Sequence, residues 1–354
     1  MVNSAYIHIP FCKSKCKYCS FVSYNRPEMM SGYVYALLKD ISVNYSGEEL
    51  KTLYFGGGTP SLLPVELLEK IIKPFIDYFK QLKSLGVNRL SIGSQTFDDK
   101  ILKLIGRRHN SEQITEAVNL AKEAGFENIS VDLIYGLPTQ TMDCLKKDLE
   151  KFLSLDIQHI STYGLKIEEE SFWGKCYNKE TNLLITSDTD QIYLPLDDEQ
   201  ADMYEVVNDV LEANGFYRYE VSNFAKDGFE SSHNLNYWNN NEYYGFGVAA
   251  HGYVDGVRYS NYTSLEEYMA KPHIHECGRT LSMQEKLEEE IFLGFRKRSG
   301  VNVSEIDQKY GIDFGSKYRH ILEKYSDFIE KTPSGYTFNL KGTLISNIIL
   351  SEFI

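Results

Sequence analysis

Three cysteines near the N-terminus constrain this chain more than any other feature. Cys12, Cys16 and Cys19 form a C-x3-C-x2-C pattern directly after a short apolar segment, residues 5–9. The chain has only six cysteines in 354 residues. A random placement would produce such a triplet with a probability on the order of 10⁻³. Three thiolates at this spacing can bind a [4Fe–4S] cluster, in which one iron is left without a protein ligand.

Two other interpretations of the triplet stay open. A structural zinc ion usually takes four ligands from two paired halves, but the remaining cysteines, Cys144, Cys176 and Cys277, are isolated along the sequence. The triplet could also be three buried apolar side chains, although the neighbouring Lys13 and Lys15 disfavour this. The number of ligands favours an iron–sulfur cluster.

Composition and charge limit the class of protein. A chain of 354 residues can form one large core and a smaller additional unit. The net charge of −13 disfavours binding to nucleic acid or to anionic lipid. Isolated cysteines and an iron–sulfur cluster are typical of a reducing compartment. Because there is no signal peptide pattern and no apolar run of about 18 residues, we expect a cytoplasmic protein without a membrane span.

Short apolar segments alternate with amphipathic helical segments in the first half of the chain. Strands are predicted at residues 5–9, 50–55, 88–95, 129–135 and 159–167. This alternation is typical of parallel βαβ units, and the polar residues of interest follow the strand ends, where ligands bind in an α/β barrel. From residue 282 onward, helices and a short hairpin indicate a smaller helical domain of the winged-helix type.

One βαβ unit is incomplete. The helix predicted over residues 65–75 passes directly into a second predicted helix, residues 76–85, with no strand between them. Two consecutive helices would leave neighbouring strands of a parallel sheet without hydrogen-bonding partners. We predict that a segment has been left out of the sequence between Phe75 and Ile76. A Cα–Cα separation of about 3.8 Å, the value for bonded residues, would contradict this prediction.

A glycine-rich turn follows the second predicted strand. Gly56, Gly57 and Gly58 precede Thr59 and Pro60, and adjacent glycines let the backbone approach a ligand that a Cβ would push away. Such a turn is weak evidence by itself, but its place after a cysteine loop supports a cofactor site.

These features resemble the radical S-adenosylmethionine (SAM) family. The cysteine spacing after a strand, Tyr18 before the last cysteine and the flanking sequence YIHIPFC are similar to its coproporphyrinogen dehydrogenase-like branch. The resemblance implies an open partial (β/α)6 barrel of the TIM type, with a smaller C-terminal winged-helix-like domain. It implies a [4Fe–4S] cluster whose bare iron binds SAM, and an electron donor whose reduction of the cluster releases a 5′-deoxyadenosyl radical. In this family the strand that is absent here ends in a carboxylate or amide residue followed by Asn-Pro, which helps to hold SAM.

The resemblance also assigns residues to the SAM site. Gln95 and Asp132 would contact the ribose, and Arg107 the SAM carboxylate. From the residues alone, these could equally be buried polar groups of the barrel and an exposed cation at a helix end. The full set matched by spacing and strand context is Tyr6, Gly57, Gly58, Thr59, Gln95, Arg107, Asp132 and Tyr163.

A second motif points to haem. Residues 233–238 match H-N-x-x-Y-W, which is associated with the haem-chaperone branch of this family. His233 would be an axial ligand of haem iron, and Tyr237 and Trp238 would offer flat apolar surface to a porphyrin. His251 is an alternative ligand. Without the resemblance, the motif could be a hydrogen-bonded loop histidine with two core aromatics.

Two departures separate the chain from the true dehydrogenase. That enzyme has a further cysteine where this chain has Phe21, and it has an N-terminal extension where only five residues precede Tyr6. We therefore interpret the chain as a haem chaperone that binds a [4Fe–4S] cluster, SAM and haem for delivery to haem-acceptor proteins. The alternatives are an oxygen-independent coproporphyrinogen III dehydrogenase and a structural zinc protein. We expect a radical SAM core (1–170), a barrel-completing region with the haem motif (171–280) and a C-terminal helical domain (281–354).

Overall fold

The computed structural model describes residues 2–76, 86–185 and 191–354. In the first half of the chain, strands and helices alternate as predicted. The elements are β1 (Ser4–Ile9), α1 (Met30–Asn44), β2 (Thr52–Gly57), α2 (Val65–Ile76), β3 (Leu90–Gln95), α3 (Asp99–Leu104), α4 (Ser111–Glu123), β4 (Ile129–Tyr135), α5 (Met142–Ser154) and β5 (His159–Gly164).

The middle of the chain contains many short strands that the apolar periodicity did not reveal, because strands of two to four residues have no periodicity to read. The elements are β6 (Tyr177–Asn178), β7 (Leu183–Ile185), β8 (Gln191–Tyr193), α6 (Asp197–Ala213), β9 (Tyr217–Arg218), β10 (Asn223–Ala225), α7 (Ser232–Trp238), β11 (Tyr244–Phe246), β12 (His251–Val254), β13 (Val257–Ser260), α8 (Leu265–Ala270) and β14 (Cys277–Thr280).

The last part of the chain forms helices and a small antiparallel sheet. The elements are α9 (Met283–Gly294), β15 (Val301–Asn302), α10 (Val303–Tyr310), α11 (Phe314–Lys317), α12 (Arg319–Lys324), β16 (Ile329–Lys331), β17 (Gly335–Phe338), α13 (Leu340–Leu344) and α14 (Ser346–Leu350). Helix α9 begins at a capping box in which Ser282 and Glu285 bond each other's backbone N–H groups. It ends at Gly294.

Six parallel strands lie in two groups. Strands β11, β1 and β2 are hydrogen-bonded in that order and run parallel. Strands β3, β4 and β5 form the second parallel group, which β10 and β9 extend in antiparallel fashion. In a barrel of parallel strands the carboxyl ends lie at one mouth, where ligands bind. This is the predicted open partial barrel.

The predicted incomplete unit coincides with a break between the two groups. Among the residues the structure describes, no strand pairs with the outer edge of β2 or of β3. Helix α2 extends to Ile76, and whether a segment is left out after Phe75 stays a prediction. The second predicted helix lies outside the described residues from position 77 onward.

Three apolar cores hold these units together. One packs α1 against β1 and β11 and includes Ile7, Leu37 and Phe246, all fully buried. A second surrounds β4 and α5, and a third is formed only by residues from Leu287 to Phe353. The last of these gives the C-terminal unit its own core. The three domain boundaries stated above stay a prediction.

Candidate cofactor site

The cysteine loop lies between the end of β1 and α1, and backbone hydrogen bonds fix it at both ends. Cys12 N–H donates to Tyr24 O at 3.0 Å, and Lys17 N–H donates to Ile105 O, after α3, at 3.1 Å. The three cysteines are free and partly exposed. Burial raises the pKa of the Cys19 thiol, and the nearby Cys16 and Cys12 raise it further. The loop thus brings three thiols together at the barrel mouth.

The thiol set suits a cluster in which each thiolate binds a different iron. Within residues 2–76, 86–185 and 191–354, no three or more His, Cys, Asp or Glu side chains are arranged around a single metal ion. In a cubane each thiolate binds a different iron, so the three sulfurs need not meet at one ion.

The glycine turn after β2 lies directly against this loop. A Cβ on Gly58 would lie 2.6 Å from Phe11 O and 2.9 Å from Cys12 Sγ, and Gly57 has a φ of +103°. Gly58 N–H donates to Ile9 O at 2.8 Å, and Thr59 Oγ1 lies 3.5 Å from Cys12 Sγ. Only glycine allows this approach, so the turn forms a cradle beside the thiols.

Gln95 and Arg107 lie on the other side of the loop. Gln95 is a buried residue with a φ of 76° at the end of β3, an unfavourable backbone conformation for a side chain of its size. Arg107 donates from Nη1 to Cys16 Sγ at 3.5 Å and from Nη2 to Gly93 O. Its buried Nε has no hydrogen-bond partner. Because a buried donor without a partner is costly, Arg107 is suited to receive an anionic group of a ligand beside the cluster loop.

A polar cavity of about 160 Å³ lies inside the barrel below the glycine turn. Asp132 lines it and accepts a hydrogen bond from Ser91 Oγ at 3.0 Å. Burial raises the pKa of the Asp132 carboxyl. Residues of the predicted SAM set and of the haem motif line this cavity together. Tyr6 and Tyr163 belong to the SAM set, and His233 and Tyr237 belong to the haem motif.

His233 is fully hydrogen-bonded within the protein. Its Nδ1 lies 2.9 Å from Thr52 Oγ1 and its Nε2 lies 2.8 Å from Tyr237 OH. The ring stacks on Tyr54 with a centroid separation of 5.1 Å. Burial lowers the pKa of His233 to about 4, so the ring is neutral at pH 7. In this conformation neither nitrogen is free to bind iron, whereas the motif predicted His233 as an axial ligand of haem iron.

Trp238 is not part of the cavity lining. The Trp238 ring lies 5.8 Å from the guanidinium of Arg296, which follows the end of α9. Its buried Nε1 has no hydrogen-bond partner among the described residues. His251 is exposed at the start of β12.

Several site residues were not predicted. Tyr54, Arg89, His159 and Ser161 also line the cavity. His8 Nε2–H donates to Val22 O at 2.9 Å, and His8 Nδ1 lies 3.0 Å from Tyr6 OH, which connects β1 to the loop after Cys19. The alternation within YIHIPFC could have indicated that Tyr6 and His8 share one face of β1; the others depend on tertiary contacts.

Comparison with known families agrees with this geometry. The model of the radical SAM superfamily matches residues 6–152, and the model of the HemN C-terminal domain matches residues 281–327. The solved radical SAM enzyme coproporphyrinogen III oxidase (HemN) from Escherichia coli has the same fold, with a TM-score of 0.82 at 20% identity over 99% of this chain and 90% of that chain. The chain is therefore a radical SAM protein with a HemN-type C-terminal domain. The superfamily implies a [4Fe–4S] cluster and SAM.

Closer relatives are curated proteins with one shared name. Heme chaperone HemW from Lactococcus lactis subsp. lactis is 39% identical, with 89% of this chain and 87% of that protein covered. Heme chaperone HemW from Bacillus subtilis is 36% identical, with 100% and 99% covered. On these matches the chain belongs to the HemW family.

The alignment with the Bacillus subtilis relative spans 386 positions, whereas this chain has 354 residues. At least 32 aligned positions therefore have no residue in this chain. In the described ranges, no helix is both long and apolar enough to cross a bilayer.

Proposed function

We propose that this protein is a haem chaperone that holds haem for transfer to recipient haem proteins. The observation that carries the proposal is the end-to-end match with a curated HemW protein at 36% identity. Recipient proteins, an electron donor for the cluster and a reducing cytoplasmic location belong to the same proposal.

Cys12, Cys16 and Cys19 would hold the cluster, which when reduced supplies an electron to the bound sulfonium of SAM. Gly57, Gly58 and Thr59 would receive the amino end of SAM, because the turn exposes its backbone beside the Cys12 thiol.

The remaining five proposed SAM contacts come from β1, β3, β4, β5 and the segment after α3. Arg107 would bind the SAM carboxylate with its Nε, which has no hydrogen-bond partner among the described residues. Gln95 and Asp132 would bind ribose hydroxyls, with Tyr6 beside the sulfonium and Tyr163 near the adenine. Three of these five, Tyr6, Asp132 and Tyr163, line one cavity, which supports their acting on one ligand.

Coproporphyrinogen III dehydrogenase activity is the second candidate, and the fold shared with HemN favours it. The identity of 36–39% with the HemW proteins, against 20% with HemN, favours the chaperone function instead.

The test begins with anaerobic reconstitution of the full chain, for which we expect about four irons per protein. Haemin is then titrated with absorption spectroscopy, and saturable binding of one haem is the expected result. Separate incubation with coproporphyrinogen III, SAM and a reductant should give no protoporphyrinogen. A protein that takes up iron but binds no haem, or one that decarboxylates coproporphyrinogen III, would overturn the proposal.

A further inference from the structure

The cysteine loop is held by segments that lie far from it in the sequence. Lys17, between the second and third cysteines, donates its N–H to Ile105 O at 3.1 Å. Its carbonyl oxygen accepts a hydrogen bond from Trp173 N–H at 3.0 Å. Both backbone groups of Lys17 are therefore engaged outside the loop, one by the residue after α3 and one by the segment after β5.

The segment that contains Trp173 has a shape of its own. Ser171 N–H donates to Glu168 O at 2.9 Å, and Ser171 Oγ accepts a hydrogen bond from Gly174 N–H at 2.9 Å. A Cβ on Gly174 would collide with Glu168 O, so only glycine fits this turn. Contacts within residues 168–174 thus fix the backbone of Trp173 independently of the cysteine loop.

The Trp173 side chain reaches the next residue of the cysteine loop. It is fully buried, although it belongs to a connecting segment rather than to a helix or strand. Its ring centroid lies 6.4 Å from that of Tyr18, the residue between Lys17 and Cys19. Trp173 therefore contacts two consecutive positions between Cys16 and Cys19, the first through its backbone and the second through its ring.

The indole nitrogen of Trp173 does not explain why tryptophan occupies this position. Trp173 Nε1 is buried and has no hydrogen-bond partner among the described residues. A buried donor without a partner is costly, so another contact must offset that cost. The large ring supplies it by packing into the core around β4 and α5 and against Tyr18.

We propose that Trp173 is a positioning residue for the cluster, which fixes Lys17 and Tyr18 so that the thiols of Cys16 and Cys19 are presented together. A loop that is already ordered loses less conformational entropy when its ligands bind a cluster. Residues that support the ligands of a metal typically change its affinity by about 10–100-fold. The inference rests on the cluster that belongs to the proposed function, and it does not depend on haem.

The first test measures how long the cluster stays bound. The full chain is reconstituted anaerobically, and the loss of iron to an excess of chelator is followed by absorption. Trp173→Ala should lose iron about tenfold faster than the wild type. Trp173→Phe keeps a buried ring and the backbone N–H, so it should stay close to the wild type. The matched control is Phe295→Ala, which removes a buried ring from the core of the C-terminal unit.

The second test uses the iron-free protein. Alkylation by iodoacetamide is followed at each cysteine by mass spectrometry. Trp173→Ala should speed the alkylation of Cys16 and Cys19 several-fold relative to Cys12, because Cys12 is held separately by its hydrogen bond to Tyr24 O. A general loss of stability would instead raise all three rates together and would count against a local role for Trp173.

The third measurement is the reduction potential of the reconstituted cluster, which depends on its exposure to solvent. A loosened loop admits water, and water stabilises the more highly charged reduced cluster. Trp173→Ala should therefore shift the potential to a less negative value, whereas Phe295→Ala should keep the wild-type value.

The inference is wrong if folded Trp173→Ala, checked by circular dichroism, retains iron and protects Cys16 and Cys19 as the wild type does. It is also wrong if Phe295→Ala has the same effects, or if Trp173→Phe is as impaired as Trp173→Ala. Trp173→Leu takes the place of Trp173→Ala in all three measurements if the alanine variant does not fold. If the wild type takes up no iron, the cluster of the proposed function fails, while alkylation of the iron-free protein still decides whether Trp173 holds the loop.

Discussion

Gly58 lies where a side chain cannot be added without moving the cysteine loop. A Cβ would meet Phe11 O at 2.6 Å and Cys12 Sγ at 2.9 Å, and relief of such overpacking costs about 1–3 kcal/mol. We expect Gly58→Ala to lower the iron content after reconstitution and to destabilise the fold by that amount.

Gly315→Ala is the matched control for this change. Its Cβ would lie 3.6 Å from the nearest atom, in ordinary contact, and alanine favours the helix by about 0.5–1 kcal/mol. Iron content should be unchanged and stability slightly higher. Equal iron content in both variants, measured by colorimetric assay, would contradict the role of the cradle.

His233 makes the stability of the protein depend on pH. Burial lowers its pKa to about 4, whereas the unfolded chain protonates near the ordinary value of about 6.5. The unfolded state therefore binds more protons between these values, so the free energy of unfolding falls as the pH drops from about 6.5 to about 4. The contribution of this one group is about 3 kcal/mol.

The free energy of urea unfolding is measured at pH 6.5 and at pH 4.5 for the wild type and for His233→Gln. We expect it to fall less between these two pH values in His233→Gln than in the wild type. His159, whose pKa burial lowers to about 2, contributes in the same direction in both proteins, so their difference isolates His233. His320→Gln should keep the wild-type slope. Identical slopes in the wild type and His233→Gln would show that His233 is not buried in its neutral form.

At the scale of elements, Asp40 connects α1 to the segment after β11. The fully buried carboxylate accepts hydrogen bonds from Tyr268 OH at 2.7 Å, Asn44 Nδ2 at 2.9 Å and Gly247 N–H at 3.1 Å. Asp40→Ala leaves these donors without a partner, so we expect a loss of about 3–5 kcal/mol. Tyr268→Phe removes a single donor and should cost about 1–3 kcal/mol. If Asp40→Ala and Tyr268→Phe lower the free energy of unfolding equally in chemical denaturation, the hydrogen bonds from Asn44 and Gly247 contribute nothing to stability.

At the scale of the whole molecule, the break between β2 and β3 has two possible origins. The 354 residues correspond to 40.7 kDa. An intact mass of 40.7 kDa for the apoprotein from its natural source would show that no residues are left out of the sequence between β2 and β3. A larger mass would show that residues are absent from the sequence, as the alternation of strands and helices predicted. Mass spectrometry of the denatured protein decides between them.

The sequence alone determined the features that depend on neighbouring residues. The cysteine spacing, the glycine turn after β2 and the alternation of strands and helices are local patterns, and they were sufficient to predict the cluster loop and the barrel class. They also indicated the incomplete unit, because a missing strand disturbs a local alternation.

Only the tertiary structure decided what depends on contacts between distant segments. Thr52 from β2 and Tyr237 from α7 engage both nitrogens of His233, and no spacing within the motif reveals this. The sheet of β12, β13 and β14 likewise has a register that aligns residues up to 26 positions apart. Register is set by packing and by turns rather than by the residues of one strand, which is why these pairings could not be read from the chain.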